Sequence, residues 1–210
     1  MMNVFVDIFS RSMRWVYRFR KRCGYGIHSP FAFNLVTGVI YEDGEYYSYH
    51  DLSLLRSAEN TVLREKDDRL LFRLVNHIEP SNGIIIGNLL GVTLDYLHAG
   101  RHQADWYFHR VNDVIGLRQT LEQLSTVHFV YIDALTDAGN CLNLIDEILP
   151  YTCDKTLIVI RGIHSSKTIF SVWQYLLTLG AVRVSMDLHD FGLLYFEKRL
   201  NKENYVINYY

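Results

Sequence analysis

Cysteine, proline and long apolar runs are all scarce in this sequence, and each scarcity excludes something. There are 3 cysteines in 210 residues, Cys23, Cys141 and Cys153. An odd count without framework spacing does not make a disulfide scaffold. No C-x-x-C pair occurs, which argues against a zinc knuckle or a thioredoxin-like dithiol. Only 3 prolines are present, and no low-complexity tract or internal repeat interrupts the chain. No segment approaches the ~18 uninterrupted apolar residues of a spanning helix. The opening MMNVFVDIFSRSMRW lacks the apolar core and small-residue cleavage site of a signal peptide. A reducing, cytoplasmic location is the resulting expectation. Charge of one sign is lacking too: 21 Lys and Arg against 23 Asp and Glu leave a net charge of -2. Without a global basic field, no nucleic-acid partner is expected. H-E-x-x-H, G-x-S-x-G and a P-loop lysine are all missing.

What remains is the composition of a folded protein: 49% hydrophobic and 14% aromatic, with 15 tyrosines. The length suits one sizeable core. A single domain over 1–210 is expected, with a helical cap over 1–80 and an α/β core over 81–210. Residues 1–22 read as a basic amphipathic helix. Val4, Phe5, Ile8, Phe9, Trp15, Val16 and Phe19 alternate with Arg11, Arg14, Arg18, Arg20, Lys21 and Arg22. Three readings of it stand: packing on its own domain, contact with an anionic or membrane surface, or self-association. In HSPFAFNLVTGVIY, Ser29 is an N-cap and Pro30 fits the first helical position. Further helices are predicted from about Asp51 to Glu65 and from Asp67 to Ile78.

From there strands and helices alternate. Ile84–Ile86 reads as a buried parallel strand, and GNLLGVTLDYLHAG as a glycine turn feeding a helix that ends at Gly100. DWYFHRV, VHFVYID and TLIVIRG are strands, each followed by a helical segment. AVRVSMDLHDFGLLYFEKR is a terminal hairpin with a tight turn near Asp190-Phe191-Gly192, and YVINYY a last extended piece. Alternating strands and helices call for right-handed βαβ crossovers. The short turn makes the hairpin antiparallel. The predicted fold class is α/β, a doubly wound, mainly parallel sheet.

Four pieces carry a resemblance: YGIHSPFAFNLV with YEDGEYYSYHDL, the loop IIIGNLLGVT, VYID ending at Asp133, and LHDFGLLYFEKR with YVI. Together they resemble the class I S-adenosylmethionine-dependent methyltransferases, in the small bacterial O-methyltransferase-like branch. The resemblance implies a Rossmann-like core with its ligand beyond the carboxyl ends of the strands, where the winding reverses. Gly87 and Gly91 keep a G-x-x-x-G spacing that would let the backbone approach the methionine end of the cofactor. The cofactor-binding set it implies is Gly87, Asn88, Gly91, His109 and Asp133.

The chain departs from that pattern at several positions. Ile85 stands where an acidic residue would hold the cofactor's ammonium group. Phe108, His109 and Arg110 end the second strand, where a carboxylate would accept from both ribose hydroxyls. A neutral imidazole cannot replace that bidentate acceptor. Only sixteen residues separate Arg110 from Val127. One βαβ unit alone takes ~30, so the sheet is predicted to be truncated by one strand on this side. A complete seven-stranded sheet would contradict that expectation. After the next strand, Arg161-Gly162-Ile163-His164 replaces the acidic metal ligands of the metal-dependent branch. A cation there repels another, so no metal is expected. Asp133 reads either as a ligand contact or as a structural cap.

His98 and His102 are four apart, but Gly100 separates them. His164, just beyond a strand, is placed for general-base work or for a plain hydrogen bond. His28 belongs to the cap motif. Tyr46, Tyr47 and Tyr49 either wall an aromatic pocket or pack the cap onto the sheet. The resulting expectation is a methyltransferase-family protein whose S-adenosylmethionine site is eroded, serving as a binding or interaction module for a small molecule or protein. An active methyltransferase on a small acceptor and a membrane-surface protein tethered by the basic helix are the alternatives.

Overall fold

The computed structural model describes residues 26–58, 61, 63–87, 91–133 and 138–209. The basic helix predicted over 1–22, together with Cys23 and Asn88, lies outside them.

Helix α1 (Pro30–Leu35) opens as its sequence dictates: Ser29 is extended, and its hydroxyl accepts from the Ala32 amide at 3.4 Å. The chain continues into a π-helical turn, Val36–Ile40. Helix α2 spans Tyr47–Ala58, earlier than the predicted Asp51–Glu65. Helix α3 spans Glu65–Ile78 and ends on Glu79 in the left-handed conformation. Leu70, Leu71, Leu74 and Val75 give it one fully buried stripe.

The core then runs β1 (Asn82–Ile86), α4 (Val92–Gly100), β2 (Asp105–His109), α5 (Val114–Leu124), β3 (Val127–Asp133), α6 (Ala138–Ile148), β4 (Thr152–Arg161), α7 (Lys167–Thr178), β5 (Val184–Asp187), β6 (Phe191–Tyr195) and β7 (Glu203–Val206). Strand order is β2-β1-β3-β4-β6-β5-β7. The pairs β1–β2, β1–β3, β3–β4 and β5–β7 are parallel; β6 is antiparallel to both β4 and β5. The hairpin is therefore as predicted, except that Phe191 and Gly192 belong to β6 and the turn is formed by residues 188–190.

The strand count corrects the truncation expectation in part. Seven strands are present, but the seventh is β7, added beside β5 at the hairpin edge. At the other edge no strand lies beyond β2 among the described residues. The stretch after β2 holds α5 alone, as the sixteen-residue spacing requires.

Two clusters cover the two faces of the sheet. Ile85, Phe129, Tyr131, Leu157 and Val159 pack against α1, the π-turn and α3. Ile84, Ile86, Val130, Ile132, Ile158 and Ile160 pack against α5, α6 and α7. β1, β3 and β4 each feed both clusters alternately, the signature of strands buried on both faces. A third cluster joins α2, α3 and α4 through Tyr49, Phe72 and Tyr96. Tyr46 and Tyr49 both meet the Phe72 ring edge-on, at 4.8 and 5.1 Å, while Tyr47 is fully exposed. The tyrosine-rich segment thus packs the cap. The same helices share a buried carboxylate: Asp68 is wholly enclosed, paired with Arg56, and accepts from the Thr93 hydroxyl at 2.6 Å.

Candidate functional site

The carboxyl ends of β1, β2, β3 and β4 gather the predicted residues at one edge of the sheet. Gly87 follows β1 with φ +125°. Its N–H donates to the His109 carbonyl at 3.0 Å, and a Cβ placed on it would lie 2.7 Å from Cβ of Asp133. Backbone approach this close needs glycine. Gly87, His109 and Asp133 therefore meet. Gly91 precedes α4 with φ 75° and ψ -149°, a combination that is nearly glycine's alone.

Side chains at this edge are engaged with one another. Arg161, at the end of β4, donates to Asp133 at 3.0 Å, with the two side chains 16% and 13% exposed. Ile85 is 2% exposed and opposes Tyr131 and Phe108 in the ladder. Where the resemblance calls for a carboxylate, the chain packs a β-branched core residue.

At the end of β2, Nδ1 of His109 lies 3.3 Å from Asp113 Oδ2, while its buried Nε2 has no hydrogen-bond partner among the described residues. Asp113 also accepts from the Gly116 amide at 3.0 Å and caps α5. That amide bond first, and His109 second, hold its carboxyl below the ordinary range. Asp113 escaped the sequence reading, although an aspartate just before an apolar helical run signals an N-cap.

Beyond Arg161 lies a cavity of about 270 Å³, lined in part by His164, His189, Arg64 and Asp190. Nε2 of His164 is 2.7 Å from Oδ2 of Asp187, and its ring stacks on Phe170 at 4.7 Å and tilts against His189 at 5.0 Å. Arg64 bonds Asp67 at 2.7 Å and Asp190 at 2.5 Å, tying α3 to the hairpin turn. Asp187 and Asp190 were also missed. They sit over twenty positions from His164, Asp187 at the end of β5 and Asp190 in the hairpin turn, and β6, paired with both β4 and β5, brings them close. His98 and His102 do not share a face: α4 ends at Gly100, and His98 packs on Trp106 at 5.8 Å. Among the described residues, no group of three His, Cys, Asp or Glu side chains could hold a metal ion. Nor is any described helix long and apolar enough to cross a membrane.

No family model matches the sequence, and no curated protein matches it. Solved structures do. An O-methyltransferase from Bacillus cereus, in complex with SAH, superposes at a TM-score of 0.53 and 13% identity, over 75% of this chain and 94% of that one. An O-methyltransferase candidate from Klebsiella pneumoniae gives 0.52 at 12% identity, over 74% and 92%. The SAH-bound methyltransferase PaMTH1 of Podospora anserina gives 0.51 at 7% identity, over 82% and 97%. At these identities the likeness establishes the fold: a class I S-adenosylmethionine-dependent methyltransferase-like sheet with its helices.

Proposed function

We propose that this chain is a binding module on a methyltransferase-like fold, with an eroded S-adenosylmethionine site. The ion pair between Arg161 and Asp133 carries the reading. In metal-dependent O-methyltransferases, a pattern from which this chain departs, the aspartate matched by Asp133 at the end of β3 helps hold a divalent cation. Here a guanidinium from the neighbouring strand takes the cation's place, so Asp133 is already neutralised by its own chain. Two further observations support it. Ile85 lies in the core, leaving the cofactor's ammonium without an anionic partner. The end of β2 offers His109 and a carboxylate, Asp113, that is committed to capping α5. The residues present do not fit the cofactor.

The test is calorimetric titration of the protein with S-adenosylmethionine and S-adenosylhomocysteine, alongside melting curves. No saturable heat is expected at micromolar ligand. A ligand at one hundred times its Kd would stabilise the fold by ~2.7 kcal/mol; a melting shift of that size would overturn the reading.

A second reading is an active methyltransferase on a small hydroxyl acceptor, favoured by the His164–Asp187 pair beside the cavity. A carboxylate that orients an imidazole makes a general base. This reading requires methyl transfer from labelled S-adenosylmethionine to a small acceptor, lost in His164→Gln.

A further inference from the structure

Among the described residues seven large apolar side chains lie exposed, and three of them, Tyr47, Leu54 and Leu55, belong to α2. The inner face of this helix is accounted for by the fold: Tyr49 and Leu52 are buried and pack with Phe72 and Tyr96. The outer face is not. Tyr47 is exposed in full, Leu54 is 59% exposed and Leu55 47%. Residues 47, 50, 51 and 54 stand at i, i+3, i+4 and i+7, so they form one stripe along two turns. The stripe reads Tyr, His, Asp, Leu, and His50 and Asp51 in its middle are exposed as well. Adjacent positions on a helix do not face each other, so this imidazole and this carboxylate do not satisfy one another.

The stripe is its own complement. Two copies of α2 can pack antiparallel about a two-fold axis that passes between positions 50 and 51. Tyr47 then meets Leu54 of the partner subunit, and His50 meets Asp51 of the partner subunit; the symmetry repeats both contacts in reverse. Each end of the seam is apolar, and its centre pairs an imidazole with a carboxylate twice. Leu55 flanks Leu54 and widens the apolar ends. Parallel packing would set like residues on like, carboxylate on carboxylate at position 51. It would also bring together the two loops that carry Glu42, Asp43 and Glu45 just before α2, where the Glu45 side chain is 75% exposed. Antiparallel packing keeps those loops at opposite ends and opposes the helix dipoles.

We infer that the outer face of α2 is a self-association surface, on which a second copy of this chain docks antiparallel around His50 and Asp51. Two helical turns make a smaller patch than the ~800 Å² per partner of a standard interface, so the dimer is weak and concentration-dependent. Association through α2 does not rest on the reading given to the strand ends around Gly87 and Asp133.

Sedimentation equilibrium of the intact chain, over concentrations up to about 300 μM, measures the association. A reversible monomer–dimer equilibrium is expected. Leu54→Arg should weaken it at least about tenfold, and His50→Asp, which sets carboxylates of both copies against one another, about as much. The double variant His50→Asp with Asp51→His exchanges the two charges and should recover most of the lost affinity. That recovery separates pairing across the seam from damage to the helix, since all these side chains face solvent in the single copy. A chain that stays monomeric at the highest concentration, or a dimer that Leu54→Arg leaves intact, would overturn the assignment. So would a dimer that His50→Asp weakens and the exchanged pair fails to restore.

Discussion

Arg161 Nη1 lies 3.0 Å from Asp133 Oδ2, joining the ends of two neighbouring strands where both side chains are largely covered. Removing one partner from such a pair is worse than removing both, because the survivor keeps its charge in a poorly solvated place. Arg161→Met should therefore lower stability by about 3 kcal/mol, and adding Asp133→Asn should recover part of the loss. Urea unfolding of the two single variants and the double variant measures the coupling. Purely additive losses would mean that the pair contributes nothing beyond its separate side chains.

Gly87 and Gly38 make a paired test of the glycine turn. At Gly87 a methyl would meet Asp133 at 2.7 Å and the backbone sits at φ +125°, so Gly87→Ala should cost about 2 to 4 kcal/mol. Gly38 is exposed in the helical turn with nothing within 4 Å of an added Cβ. Gly38→Ala should be neutral or stabilising by up to about 1 kcal/mol. Thermal denaturation of both distinguishes a site-specific requirement from a general sensitivity of glycines.

Any residual ligand at the strand ends should respond more to Gly91→Val than to Asp133→Asn. Valine fills the approach and cannot hold φ 75° without strain, whereas the amide keeps the carboxylate's shape. Ile85→Glu should not restore tight S-adenosylmethionine binding. It would place a carboxylate in the core at a position 2% exposed, and should cost about 3 kcal/mol. A stable Ile85→Glu protein that bound the cofactor tightly would reduce the proposed erosion to a single residue. Calorimetry with the purified variants decides it.

Acid should destabilise the protein through His128. Its Nδ1 accepts from the Ser81 amide at 3.2 Å, which requires the neutral ring. Burial first, and Lys155 second, push its pKa below the ordinary 6.5. Between the folded and unfolded values the unfolded chain binds more protons, so stability rises with pH through that window. It is fully present above about 6.5 and declines as pH falls below that value. Burial shifts His77 the same way. Melting temperature followed from pH 7.5 down to about 5 should fall, and His128→Asn should fall less steeply. An unchanged slope in that variant would assign the effect elsewhere.

The alternation of apolar strands with amphipathic helices was enough to order the core, because each periodicity is a local property of the chain. Ser29 and Pro30 marked the start of α1, and Gly100 the end of α4, since caps are written within a few residues. The short stretch after His109 foretold that β2 would have no neighbour beyond it. That β7 would instead extend the opposite edge was not legible: YVINYY carries no signal for which strand it will join.

The site divides along the same line. Sequence alone placed Gly87, His109 and Asp133 at the ends of consecutive strands, and the parallel register then made them neighbours. It also set Arg161 and His164 after the next strand. Only the tertiary structure decided what those side chains do. Arg161 turns to Asp133, His164 to Asp187, and Arg64 to Asp190. Each of these partners is more than twenty residues away along the chain. Periodicity reports which face of an element is buried, whereas a side-chain partner depends on which strand edges and helix ends the closed sheet brings together.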